Sequence, residues 1–241
     1  MKKLLTTALV TGVLATAASV ASAGEIAVIV KTTNSSFWQN VNKGASAAIE
    51  GHSEHTMTFN GPASESAIAD QVALVENAIN RGVAGIVLAP SDPEALAPVV
   101  RRAFEAGIPM AIIDSGLAEG SEQYYQAFLS TDNCAAGEQA AQMMIDNTGK
   151  EGKVAVMSYV AGVGSEIGRV GCFVEYIGEN SDIEIVGPLY SQSQMATALN
   201  QTTDLLAANN DLTGIFGANE PTAIGMGRAI EQAGKAGQLV A

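Results

Sequence analysis

Basic residues are scarce in this 241-residue chain: 12 Lys and Arg stand against 25 Asp and Glu, a net charge of −13. Nucleic acid and anionic membrane surfaces demand Lys and Arg to neutralise their phosphates, so both are excluded as partners. Histidine is scarcer still, with His52 and His55 alone. They lie in a polar stretch with only Glu54 beside them, whereas a catalytic zinc needs a rigid three-ligand face, so a solvated loop is expected and no metal. The only cysteines are Cys134 and Cys172, and neither lies in the C-x-x-C spacing of a metal or redox site. An oxidising compartment would let them pair, and two small buried apolar side chains is the equal alternative. Phosphate-binding loops are missing too, since Gly-Lys-Ser/Thr does not occur. In Gly162-Val163-Gly164-Ser165-Glu166-Ile167-Gly168 the third glycine falls one place late for a dinucleotide fingerprint. Ser115 and Ser165 lack the G-x-S-x-G elbow, and no nucleophile, base and orienter can be assembled. Neither catalysis nor a cofactor is expected.

What the chain does have is apolar content, 47% against 15% charged, enough to bury the core of one large domain or two small ones. Residues 1–23 read as a signal peptide. Lys2 and Lys3 precede an uncharged run from Leu4 to Val20, and Ala21-Ser22-Ala23 fits cleavage after Ala23, which makes the protein periplasmic. No cysteine follows to carry a lipid.

Beyond the leader, Glu25 to Val30 is a nearly continuous apolar strand, the pattern of a strand covered on both faces. A polar turn, Lys31 to Ser36, then gives way to a helix with Phe37, Val41, Ala45, Ala48 and Ile49 at helical spacing. The β-then-α alternation continues. A strand over 56–59 precedes a helix from Ser64 as cap to Asn80, a strand over 84–88 precedes a helix over 94–106, and strands follow over 110–113 and 124–129. It restarts after Ser130 with a helix capped by Asp132 or Asn133, then strand 153–158, helix 165–178, strand 183–190, helix 195–208, strand 213–216, helix 221–234 and a strand opening at Gln238. Two such series predict an α/β fold of two doubly wound parallel-sheet lobes, 24–129 and 130–241, with a hinge and a cleft between them. Because the chain stops inside an apolar strand, the second lobe is expected to be incomplete and the C-terminal part missing.

In open α/β sheets ligands sit beyond the carboxyl ends of strands. Lys31, Ser35 and Asp114 fall there, and Arg169 and Asn219 lie at the starts of helices. Phe37 and Trp38 add flat apolar faces, and hydroxyl-binding groups beside such faces suit a sugar. Each residue also has a plainer reading: Phe37 and Trp38 as core, Asp114 and Asn219 as caps, Arg169 as a solvated charge.

As a set these residues resemble the periplasmic sugar-binding proteins of ABC importers, of the ribose- and allose-binding type with the type I periplasmic binding fold. Lys31-Thr32-Thr33-Asn34-Ser35-Ser36-Phe37-Trp38 is similar to that family's Lys-Thr-x-x-Asn-Pro-Phe-Trp opening. Gly85-Ile86-Val87-Leu88-Ala89-Pro90, Gly107-Ile108-Pro109 with Asp114, Thr131-Asp132-Asn133 with Gly137, Arg169 before Phe173, and Ala218-Asn219-Glu220 follow in the family's order. The resemblance implies a monomer that closes on a monosaccharide and delivers it to an ABC permease in the inner membrane. It further implies that Phe37 and Trp38 stack on the ring, Lys31 and Ser35 bond hydroxyls, and Asp114, Arg169 and Asn219 supply charged and amide partners. Ser115, where ribose binders carry Arg, joins them. Ser193 falls where a second-lobe aromatic often packs, with Tyr190 or Gln192 nearby to compensate. The family's next strand carries a sugar-binding Asp beyond Ala241, so weak binding or poor folding is expected of the chain as it stands. Sensing of a sugar or a furanosyl signal, and an enzyme acting on a small polar metabolite, are the alternative functions.

Overall fold

A computed structural model describes residues 24–241; the expected signal peptide and its cleavage after Ala23 lie outside the described residues. The first series contains β1 (Glu25–Ile29), α1 (Ser36–Ile49), β2 (Thr56–Asn60), α2 (Ile68–Arg81), β3 (Gly85–Leu88), α3 (Pro93–Glu105), β4 (Met110–Ile113) and β5 (Ala127–Leu129). The second contains α4 (Asn133–Thr148), β6 (Glu151–Ser158), α5 (Gly164–Asn180), β7 (Asp182–Tyr190), α6 (Met195–Ala208), β8 (Gly214–Gly217) and α7 (Glu220–Gln232). The strands form two parallel sheets, one ordered β2-β1-β3-β4-β5 and the other β7-β6-β8, so each turns around its own first strand. That reversal makes a crevice beyond the carboxyl ends of β1 and β3, and another beyond β6 and β8. This is the α/β fold of two doubly wound parallel sheets that the alternation of strands and helices predicts.

Apolar β1 is covered on both sides. Ala27 and Ile29 pack with α2 and α3 residues such as Val75, Val99 and Val100, while Val28 and Val30 pack with Trp38 and Ala89 on the α1 side. Gln71, wholly buried on α2, stitches the strand ends together. Its Nε2 donates to the carbonyls of Val30 and Ala89, and its Oε1 accepts from the Ser91 amide. This satisfies backbone groups that leave the ladder where the site begins.

Most boundaries agree with those read in the sequence to within two residues, and three differences stand out. Helix α2 begins at Ile68 after Ala67, because the Ser64 carbonyl closes a turn with the Ala67 amide instead of capping a helix. Tyr124 ends a short 3-10 turn (Glu122–Tyr124), which leaves β5 only three residues. The strand expected from Gln238 pairs only at Val240, bridged in parallel to Gly214. Asp132, of the two candidates, caps α4. Cys134 and Cys172 form a disulfide that staples α4 to α5, so pairing, and not two buried thiols, is the state adopted. Beside it, Gly137 allows the two helices to touch: a Cβ there would run into the Arg169 carbonyl and the Phe173 amide.

Candidate functional site

Two residues beyond β1, Lys31 turns inward with only 2% of its side chain exposed. A buried ammonium needs an anion and a partner for each proton. Asp114, the first residue past β4, supplies the anion: its Oδ2 lies 2.6 Å from Lys31 Nζ. Ser115 Oγ, at 2.7 Å, and Ser165 Oγ, at 3.3 Å, accept the remaining contacts. Asp114 adopts φ 66°, a left-handed conformation that Asp tolerates better than most residues, and this bends the chain so that its carboxyl faces Lys31.

The second sheet contributes in the same way. Tyr159, the first residue past β6, is buried, and its hydroxyl is 2.8 Å from Ser165 Oγ. Burial pushes its phenol pKa well above the usual value, more than the Ser165 hydrogen bond lowers it, so it stays a neutral donor. Arg169 on α5 is not a solvated charge. Its NH1 donates to the Ala218 carbonyl at 2.6 Å and its NH2 to Asn133 Oδ1 at 2.8 Å, which fixes the plane of the guanidinium. Asn219 fulfils both of its readings. Its Oδ1 caps α7 by accepting from the Thr222 amide, while its Nδ2 donates to Ser193 Oγ at 2.9 Å.

Between these groups lies a small cavity of ≈ 80 Å³ lined by Lys31, Ser35, Phe37, Trp38, Glu65, Asp114, Tyr159, Ser165, Arg169, Asn219, Glu220 and Pro221. At about 10–15 Å³ for each water-sized occupant, that is room for one small polyol and not for a dinucleotide. All the candidates from the sequence line it except Ser115. That serine is buried beside the ion pair, where it donates to Asp114 Oδ2 and accepts from the Ser165 amide, so it positions Lys31 and Asp114 without lining the cavity. The two aromatics divide their roles. Trp38, 2% exposed, is as much core as cavity wall, whereas Phe37 is 46% exposed. Their rings meet edge-on, with centroids 4.9 Å apart. Ser35 lines the cavity and also caps α1.

Glu65, Tyr159, Ser165, Glu220 and Pro221 line the cavity without having been singled out as ligand residues. Tyr159 had a usable signal, since it follows β6 as Lys31 follows β1. Glu65 had none, sitting in the aperiodic loop after β2. Neither Tyr190 nor Gln192 reaches the cavity; Ser193 instead donates to Glu65 Oε2 at 2.6 Å. Other bonds also cross between the two series, from the Ser165 amide to Ser115 Oγ and from the Phe37 amide to Glu220 Oε2 at 2.8 Å. His52 and His55 stay outside the cavity, each near Glu54.

The sequence pattern of the periplasmic binding protein domain matches residues 26–241. The D-allose-binding periplasmic protein of Escherichia coli (strain K12) is 30% identical over 224 residues, which cover 91% of this chain and 72% of that protein. Among solved structures, an ABC transporter solute-binding protein from Agrobacterium vitis with bound D-fucose is 73% identical, with a TM-score of 0.89 over 90% of this chain and 74% of its own. An ABC transporter periplasmic solute-binding protein from Actinobacillus succinogenes with bound D-allose is 30% identical, with a TM-score of 0.80 over 90% and 76%. By its sequence pattern and its paired parallel sheets, the chain belongs to the periplasmic binding protein family.

Proposed function

We propose that this chain is the sugar-capturing component of an ABC importer: a periplasmic monomer, freed of residues 1–23, whose lobes 24–129 and 130–241 close on one monosaccharide and present it to an inner-membrane permease. The observation that carries the reading is the convergence of Lys31, Asp114, Arg169, Asn219, Phe37 and Trp38 on one small cavity between the two sheets. Phe37 offers an open ring face for sugar C–H groups. Asp114 and Glu65 are acceptors for hydroxyls, and Arg169, Asn219 and Tyr159 are donors held in place by their other bonds. Such a set recognises an uncharged polyol by matching donors to acceptors and performs no chemistry on it, in keeping with relatives that are solute-binding proteins. D-Fucose, the ligand bound in the Agrobacterium vitis protein, is the first sugar to test, with D-allose second.

A thermal-shift screen of pentoses and hexoses tests the reading. A ligand at one hundred times its dissociation constant adds about 2.7 kcal/mol of stability, a shift of several degrees for a protein of this size. A shift with D-fucose or another monosaccharide is expected. No shift with any sugar would overturn the proposal.

A further inference from the structure

Glu65 is buried to 4% exposure, yet no ion pair among the described residues includes it. Its two oxygens point to opposite sides of the cleft. Oε1 accepts from the indole N–H of Trp38 at 2.9 Å, within the first lobe, and Oε2 accepts from the hydroxyl of Ser193 at 2.6 Å, in the second. Ser193 in turn accepts from Asn219 Nδ2 at 2.9 Å, so one chain of hydrogen bonds runs from Trp38 through Glu65 and Ser193 to Asn219. Trp38, Glu65 and Asn219 all line the cavity. Ser193 is held at φ 54°, a left-handed conformation uncommon for serine, in the tight turn after β7 that aims its hydroxyl at the other lobe.

A carboxylate offers about four acceptor positions, and protein groups fill two of them here. A buried carboxylate with half of its capacity unused is costly, and the cavity is the side from which further donors would come. Hydroxyl groups of a neutral polyol meet that need. A sugar acid or sugar phosphate does not, because it brings a second anion to Glu65 and Glu220. Building on the sugar-binding reading, we infer that Glu65 is a ligand-coupled latch: it accepts hydroxyls of the bound sugar while gripping Ser193 of the opposite lobe, so that occupancy and closure stabilise each other. By linkage, whatever weakens the grip on Ser193 must weaken sugar binding, although Ser193 does not line the cavity.

Trp38 is the only tryptophan in the chain and is bonded to the latch, so its emission reports on both lobes' approach. The experiment is a stopped-flow titration with D-fucose of the wild type, Glu65→Gln and Ser193→Ala, followed by Trp38 fluorescence, with ligand-free melting temperatures measured alongside. Loss of a hydrogen bond to a charged group predicts a dissociation constant roughly 10- to 100-fold higher for Glu65→Gln. Ser193→Ala is expected to release D-fucose about tenfold faster with an association rate close to wild type, a kinetic split that a merely structural residue would not give. If Glu65→Gln fails to fold, Ser193→Ala decides alone. Wild-type binding together with unchanged release from Ser193→Ala overturns the latch and leaves the sugar-binding reading intact. Absence of any D-fucose, D-allose or D-ribose signal in the wild type removes both.

Discussion

Replacing Asp114 with Asn tests the electrostatic foundation of the cavity. The substitution isolates charge from backbone, because Asn accepts the φ of 66° that Asp114 adopts about as readily as Asp does. What it removes is the only anion paired with Lys31 among the described residues, so that the ammonium is left with the hydroxyls of Ser115 and Ser165. Stranding a buried charge in this way costs about 3–5 kcal/mol. For a protein of this size each kcal/mol lowers the melting temperature by about 2–4 °C, so the fall should be of order 10 °C. The reverse substitution, Lys31→Met, ought to be milder. Asp114 is 21% exposed, lies at the cavity, and keeps the Ser115 hydroxyl as donor, so its loss of partner is put at about 1–2 kcal/mol. The double variant should then be more stable than Asp114→Asn alone, since no unpaired ammonium remains. Urea denaturation followed by circular dichroism gives all three values. The reasoning fails if Asp114→Asn costs less than about 1 kcal/mol, or if the two single costs simply add in the double variant.

The Cys134–Cys172 bridge closes a loop with a sequence separation of 38, for which chain entropy gives about 4 kcal/mol, so a reductant or Cys134→Ala/Cys172→Ala should lower the melting temperature by roughly 10 °C. Gly137→Ala should cost about 1–3 kcal/mol and also weaken D-fucose binding, because relieving the contact with the Arg169 carbonyl moves the helix that carries Arg169; calorimetric titration beside a melting curve reads both effects. Phe37→Ala should leave the melting temperature within a few degrees of wild type while reducing D-fucose affinity about tenfold, since Phe37 is largely exposed and its open ring faces the cavity. Burial raises the Tyr159 phenol pKa, so its contribution to stability is complete below pH 10, where the unfolded phenol is also protonated, and declines above it at up to about 1.4 kcal/mol per pH unit. Tyr159→Phe should flatten the alkaline limb of a stability profile measured between pH 8 and 11.

The strand-turn-helix from Glu25 to Trp38 was legible because a strand covered on both faces is continuously apolar and a helix repeats near 3.6 residues. The two doubly wound parallel sheets followed from the same alternation, and with them the placement of Lys31, Asp114 and Asn219 past strand ends, whereas the order of the strands is visible only in the structure. The start of α2 was not legible. Ser64 has the chemistry of a cap, but the loop that contains it carries Glu65 across to Trp38, and the helix waits until Ile68. Glu65 itself was invisible for a related reason: its partner Ser193 is 128 positions away, and a loop has no period to reveal which side chain turns inward. Ser115 is assigned to the site by the resemblance, as the position where ribose binders carry Arg. The side chains of Asp114 and Ser115 both reach the Lys31 ammonium and bond each other, but only Asp114 lines the cavity, while Ser115 is buried. The cysteine pairing depended on how closely α4 and α5 cross, which Gly137 permits but which spacing in the sequence does not disclose.

A crystal structure of the chain grown with D-fucose tests the central claim most directly, namely that one uncharged sugar is held between the two sheets by the groups gathered here. The account predicts a single sugar in the cavity, its ring against Phe37 and its hydroxyls bonded to Asp114, Arg169, Asn219 and Glu65. Sugar bound elsewhere, or a cavity holding only water at saturating D-fucose, would contradict it.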